Sequence, residues 1–160
     1  MVPGLVTAVR GALRADADPE RGRAMQAYLK TDEHCLGVRL PDVRRHVRDA
    51  AAAHPPATLT DLEQAAGTLW QEATAREERH AAIALTGLPM ARGALPLLPL
   101  HEEMITTGAW WDLVDDAAHV VAEVRLRDLA KTDPAWVRRF LAGHELSPLS
   151  RREAAKHLDR

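Results

Sequence analysis

At 160 residues, with 46% hydrophobic and 28% charged side chains, the chain is long enough for one domain with a sizeable core, and its composition excludes a disordered or fibrous class. A net charge of −2, evenly divided between the halves, does not advertise nucleic-acid binding. The single Cys35 excludes an intrachain disulfide and a Cys-rich zinc site and reads as a small buried apolar residue.

Leu5 to Ala15 repeats apolar residues at helical spacing. Arg10 and Arg14 interrupt that pattern, so it is not a signal peptide, no apolar run is long enough to span a bilayer, and a cytoplasmic location is expected. Asp18-Pro19-Glu20 supplies an N-cap, an N1 proline and an early acid for a second helix through Lys30. Thr31 to Leu40, containing Gly37, is a connector, and Pro41 to Ala53 is a helix stopped by His54-Pro55-Pro56. That helix sets Val43 and Val47 on one side and Arg44, Arg45 and Arg48 around the other.

Thr60-Asp61-Leu62-Glu63 and Thr74-Ala75-Arg76-Glu77 both match a capping box, which predicts two helices joined by a sharp turn. Ala81, Ile83, Ala84 and Leu85 make the second nearly apolar, so it is expected to be the buried inner member. Gly87 to Gly93 breaks it, and Pro96 to Thr106 reads as a helix with Pro99 in its first turn, ending at Gly108.

The next helix opens on Trp110-Trp111-Asp112-Leu113-Val114-Asp115-Asp116 and runs to about Leu129. Half of the four tryptophans sit there side by side. Trp111 and Asp115 are four residues apart and share a helix face within about 40°, whereas Trp110 lies about 100° from Trp111. Spacing alone favours a structural explanation, with core tryptophans and aspartates placed by the helix dipole. Asp133-Pro134 starts a further helix ending before Gly143, and Ser150-Arg151-Arg152-Glu153 is a third capping box. Nothing reads as a strand. Eight or nine short helices joined by brief turns predict an all-α fold, a single domain over residues 1–160 built as an α-solenoid of antiparallel helix pairs.

With these pieces laid out, the chain resembles the AlkD-type DNA alkylation-repair glycosylases, a family of HEAT-like helical repeats. The resemblance rests on Met25-Gln26-Ala27-Tyr28-Leu29-Lys30, Gly37 with Pro41 and Arg44, Leu69-Trp70 with Arg76-Glu77, Trp110-Trp111-Asp112-Leu113-Val114-Asp115, Asp133-Pro134-Ala135-Trp136-Val137, and Leu146-Ser147-Pro148-Leu149-Ser150-Arg151-Arg152-Glu153-Ala154. The double Trp with Asp and Val-Asp is the most specific. One departure stands out: the chain runs straight from Val124 through Arg125-Leu126-Arg127 to Lys131-Thr132-Asp133, where the family carries several further helices with a second DNA-facing aromatic. About two repeats of roughly 40 residues or less are expected to be absent, and Trp136 belongs to a later motif that does not replace the missing aromatic.

The resemblance implies hydrolysis of the N-glycosidic bond of cationic N3- or N7-alkylated purines in duplex DNA, with no cofactor. It places Asp115 as the carboxylate beside the sugar, Trp111 as the indole packed on the deoxyribose, and Tyr28 as a helper near the lesion. Arg44, Arg45 and Arg48 are candidates for phosphate contact, with Trp110 anchoring the helix beside the DNA-facing pair. Read without the resemblance, Asp115 is a solvated residue or the partner of His119 one turn on, Asp112 a helix-start acid, and the arginines a solvated face. Asp115, Asp116 and His119 could in principle supply metal ligands, but no second cluster converges on them and no metal is expected. The alternative function is a non-catalytic helical-repeat module that binds DNA or a protein, motivated by the missing segment. The expected state is a monomer, with pairing through uncovered repeat faces as the other possibility.

Overall fold

The computed structural model describes residues 2–132, and the helix and cap expected beyond Asp133 lie outside them. Seven α-helices follow in order: α1 (Val2–Ala15), α2 (Pro19–Leu29), α3 (Leu40–Ala53), α4 (Leu59–Gln71), α5 (Arg76–Thr86), α6 (Leu98–Gly108) and α7 (Trp111–Thr132), with a 3-10 turn (Leu95–Leu97) leading into α6. There is no strand among the described residues, and the all-α arrangement is that of an α-solenoid of helix pairs. The candidate membrane spans number none: no described helix is long and apolar enough to cross a bilayer.

The core forms where the apolar stripes of α1, α3, α4 and α5 meet. Leu5, Val9 and Leu13 of α1 pack with Val43 and Val47 of α3, Leu69 of α4 and Ile83 and Leu85 of α5. Helix α5 is the inner member, as its sequence predicts. It contacts α1, α3, α4 and α7, and its buried residues include Ala81, Ala82 and Ile83. Cys35 is buried as expected, and burial, with the Glu77 carboxylate nearby, pushes its thiol up to about 11.

The caps differ from the sequence expectation in instructive ways. Asp18 caps α2 as predicted, its side chain accepting from the Arg21 N–H. Helix α4 does carry a capping box, but it is built by Thr58 with Asp61 rather than by Thr60 with Glu63, so the helix starts earlier. The box predicted at Thr74 does not form. Ala75 is the N-cap with no side-chain bond, and the Glu77 carboxylate that would have reached back accepts instead from the N–H groups of Leu36, Gly37 and Val38 at 2.9, 2.8 and 3.3 Å. A buried connector with three unpaired donors competes more strongly for that carboxylate than one exposed helix end. Thr74 turns its hydroxyl to Glu78, which also receives Arg10 and Arg14.

The connector also explains two glycines. A Cβ on Gly22 would come within 2.3 Å of the Cys35 carbonyl oxygen, and Gly37 adopts φ 87° with Asp18 O 2.2 Å from where its Cβ would be. Helix α2, with only Gly22 and Leu29 buried, is thus held by close backbone contact rather than by a broad apolar face. At the far end, α6 stops in a left-handed Ala109 (φ 43°) one residue past Gly108. Gly108 is needed for a different reason, since a Cβ there would lie 2.9 Å from the Trp70 ring.

Candidate active site

Trp110 does not belong to a helix, contrary to the expectation that α7 opens on it. Its carbonyl accepts the first α7 bond, from the Val114 N–H, so it occupies the N-cap position and Trp111 begins the helix. The Trp110 indole N–H donates to the Leu29 carbonyl at 2.9 Å. That bond ties the start of α7 to the end of α2, directly behind Tyr28 on one side and Trp111 on the other.

Tyr28 and Trp111 meet edge to face, with centroids 6.1 Å apart and planes at 77°. Both are exposed, 75% and 52% respectively. Neither ring is part of the core, and together they present a contiguous exposed aromatic surface. They line an open cleft of about 380 Å³ together with Met25, Leu40, Arg44, His80, Asp115 and His119.

The three aspartates of α7 divide into two groups. Asp112 and Asp116, one turn apart, face α5 and α3. Arg76 grips Asp112 through Nε at 2.9 Å and through Nη2, and donates Nη1 to Glu33 at 2.8 Å. His80 stands between the two carboxylates, Nε2 3.2 Å from Asp112 and Nδ1 3.0 Å from Asp116. Arg44 reaches Asp116 from α3 at 2.8 Å. Burial works against ionisation of both aspartates, but bonds from His80 outweigh it, joined at Asp112 by Arg76 and at Asp116 by Arg44, and hold both carboxyls below the usual range. Burial likewise disfavours charge on His80, yet its bonds to Asp112 and Asp116 raise it above an ordinary imidazole.

Asp115 is different. It is exposed on the cleft wall beside Trp111, and among the described residues its carboxylate takes no hydrogen bond or ion pair. His119 lines the same cleft without bonding it. The structure therefore gathers Tyr28, Trp111, Asp115 and Arg44 in one cleft, with Trp110 behind it. Arg45 turns elsewhere, to Asp42 at 3.0 Å and Asp16 at 3.8 Å, and Arg48 is exposed with no ion pair among the described residues. No group of three or more potential metal ligands occurs among the described residues.

Neither His80 nor Arg76 stands out in the sequence as a site residue. Their signal is a pair of i, i+4 spacings of opposite charge, Arg76 with His80 on α5 and Asp112 with Asp116 on α7, which becomes meaningful only once the two helices are known to be neighbours.

A family described as DNA alkylation repair enzyme matches the chain over residues 9–125 and 124–158, and the two stretches meet where the sequence departs from the family pattern after Val124. No curated protein matches the chain. With the match covering most of the 160 residues, including every residue that lines the cleft, the chain belongs to the DNA alkylation repair enzyme family.

Proposed function

We propose that the cleft hydrolyses the N-glycosidic bond of cationic N3- or N7-alkylated purines in duplex DNA. The observation that carries this reading is the exposed Asp115 carboxylate, unpaired among the described residues, one helical turn from the exposed Trp111 ring in a cleft that also holds Tyr28. An alkylated purine already bears the positive charge that makes it a good leaving group, so no general acid is required. As the bond from C1′ to the base nitrogen breaks, its electron pair neutralises the departing base and positive charge develops on the sugar. A carboxylate without a cation partner is free to stabilise that charge and to orient a water whose oxygen attacks C1′ and whose proton passes to the carboxylate or to solvent.

The aromatic pair supports the same chemistry. The faces of Trp111 and Tyr28 favour a cation electrostatically and offer an apolar wall to the deoxyribose. The open shape suits a lesion read at the surface of the duplex, without the enclosed pocket that an extruded base needs. Arg44 borders the cleft but is held by Asp116, whereas Arg48, one turn along α3, is exposed with no ion pair among the described residues and is suited to the phosphate backbone.

The test is release of methylated purine from alkylated duplex DNA by the purified chain, alongside Asp115→Asn. The amide keeps the shape and removes the charge, and release is expected to fall roughly 100-fold or more. Equal release by wild type and variant would sink the catalytic reading. Salt-sensitive DNA binding with no release by either would instead support the non-catalytic DNA-binding module.

A further inference from the structure

We propose that His80 is a positioning residue that, as a doubly bonded imidazolium, locks the rotation of α7 and so aims Trp111 and Asp115 into the cleft. The inference rests on the functional reading of that cleft, but its geometry stands apart from it. Asp112 and Asp116 form one stripe of α7, and Trp111 and Asp115 form the stripe next to it, about 100° around the axis. Fixing the first stripe fixes the direction of the second. His80 is the only side chain among the described residues that hydrogen-bonds both members of the first stripe, with Nε2 at 3.2 Å from Asp112 and Nδ1 at 3.0 Å from Asp116.

Both bonds to carboxylates require both ring nitrogens to carry protons. A neutral imidazole has one N–H, so on losing a proton it turns a lone pair toward one of the two aspartates. The surrounding charges leave little alternative. From α7, His80 faces Asp112 and Asp116, while Asp115 and His119 line the cleft beyond. Arg44 of α3 is committed to Asp116, and Arg76 of α5 is shared between Asp112 and Glu33 of the connector, with Arg79 also on Glu33.

The experiment follows two signals in the intact chain between pH 5 and pH 10: the His80 imidazole resonances and the Trp111 indole N–H resonance, the latter assigned by its loss in Trp111→Phe. The Trp111 signal is expected to shift with the same midpoint as His80 titration in the wild type. In His80→Gln that midpoint should vanish, and in Asp115→Asn it should persist. In the base-release assay His80→Gln should lower kcat roughly 10- to 100-fold, as small misalignments do, with KM for DNA nearly unchanged and the alkaline decline of the rate abolished.

A Trp111 resonance indifferent to His80 titration in the wild type overturns the proposal, and this needs no variant to fold. So does a His80→Gln protein whose rate keeps the wild-type pH profile. If no protein releases base but the Trp111 and His80 midpoints still coincide, the functional reading fails while the positioning role stands.

Discussion

Asp115 and Asp112 are three residues apart on one helix and do opposite things, and partner supply is the reason. Asp112 is clasped by Arg76 and His80, whereas Asp115 faces the open cleft. The sequence places Trp111 and Asp115 on one face correctly because that depends only on helix geometry. It assigns Asp112 to the helix dipole because the true partners sit 36 and 32 residues away, and nothing local announces them. A second single-residue consequence concerns His101, which is fully buried on α6 with neither ring nitrogen bonded among the described residues. Burial lowers its pKa. The folded chain therefore binds the His101 proton less readily than the unfolded chain, and its contribution to stability is present above the unfolded value of about 6.5 and is lost as pH falls below it. Replacing His101 with Leu is expected to stabilise by about 1 kcal/mol at pH 7 and by more at pH 5.5, read from urea unfolding at the two pH values. Equal stabilisation at both pH values would exclude a titrating buried imidazole.

Helices and connectors show where local signals lose to long-range ones. The Asp18-Pro19-Glu20 start and the buried character of α5 were legible because caps and apolar faces are written in neighbouring residues. The box at Thr74 was not, because Glu77 serves the connector 39 to 41 residues upstream. Glu77→Gln tests that competition: the amide has a single acceptor oxygen, whereas the two carboxylate oxygens accept from three backbone N–H groups. A loss of roughly 3 kcal/mol is expected, since the buried donors stay unpaired. A urea midpoint unchanged from wild type would mean that the connector finds other acceptors. Because the connector leaves from the C-terminal end of α2 and is tied back to it by the Gln26 amide donating to the Glu33 carbonyl, the same variant should disturb Tyr28, visible as altered Tyr28–Trp111 ring contacts in nuclear Overhauser spectra.

Across the molecule, the distribution of charge sets how DNA can be held. Whole-chain charge is −2, so attraction to a phosphate backbone must come from local arginines that are not already spent. Arg48 is exposed with no ion pair among the described residues, whereas Arg45 is held by Asp42 and Asp16. Arg48→Ala is expected to reduce the magnitude of the log–log salt slope of duplex binding by about 1, and Arg45→Ala to change it much less. Binding isotherms at several salt concentrations measure both, and equal slopes for the two variants would place the duplex on another face. The family match divides at residues 124 and 125, yet α7 passes through that point as one continuous helix to Thr132.

The bond from the Trp110 indole to the Leu29 carbonyl spans 81 positions of sequence. Its two ends are the immediate neighbours of Trp111 and Tyr28, so the cleft has no existence in any partly folded chain in which α7 has not docked. Contacts of such sequence separation carry a loop-closure penalty that local helix contacts do not. The α4–α5 hairpin needs only a four-residue turn, Glu72 to Ala75. In order of assembly the core can therefore precede the cleft. A ribosome must have released residues well past Trp111 before the nascent chain can close the gap between its two aromatic walls.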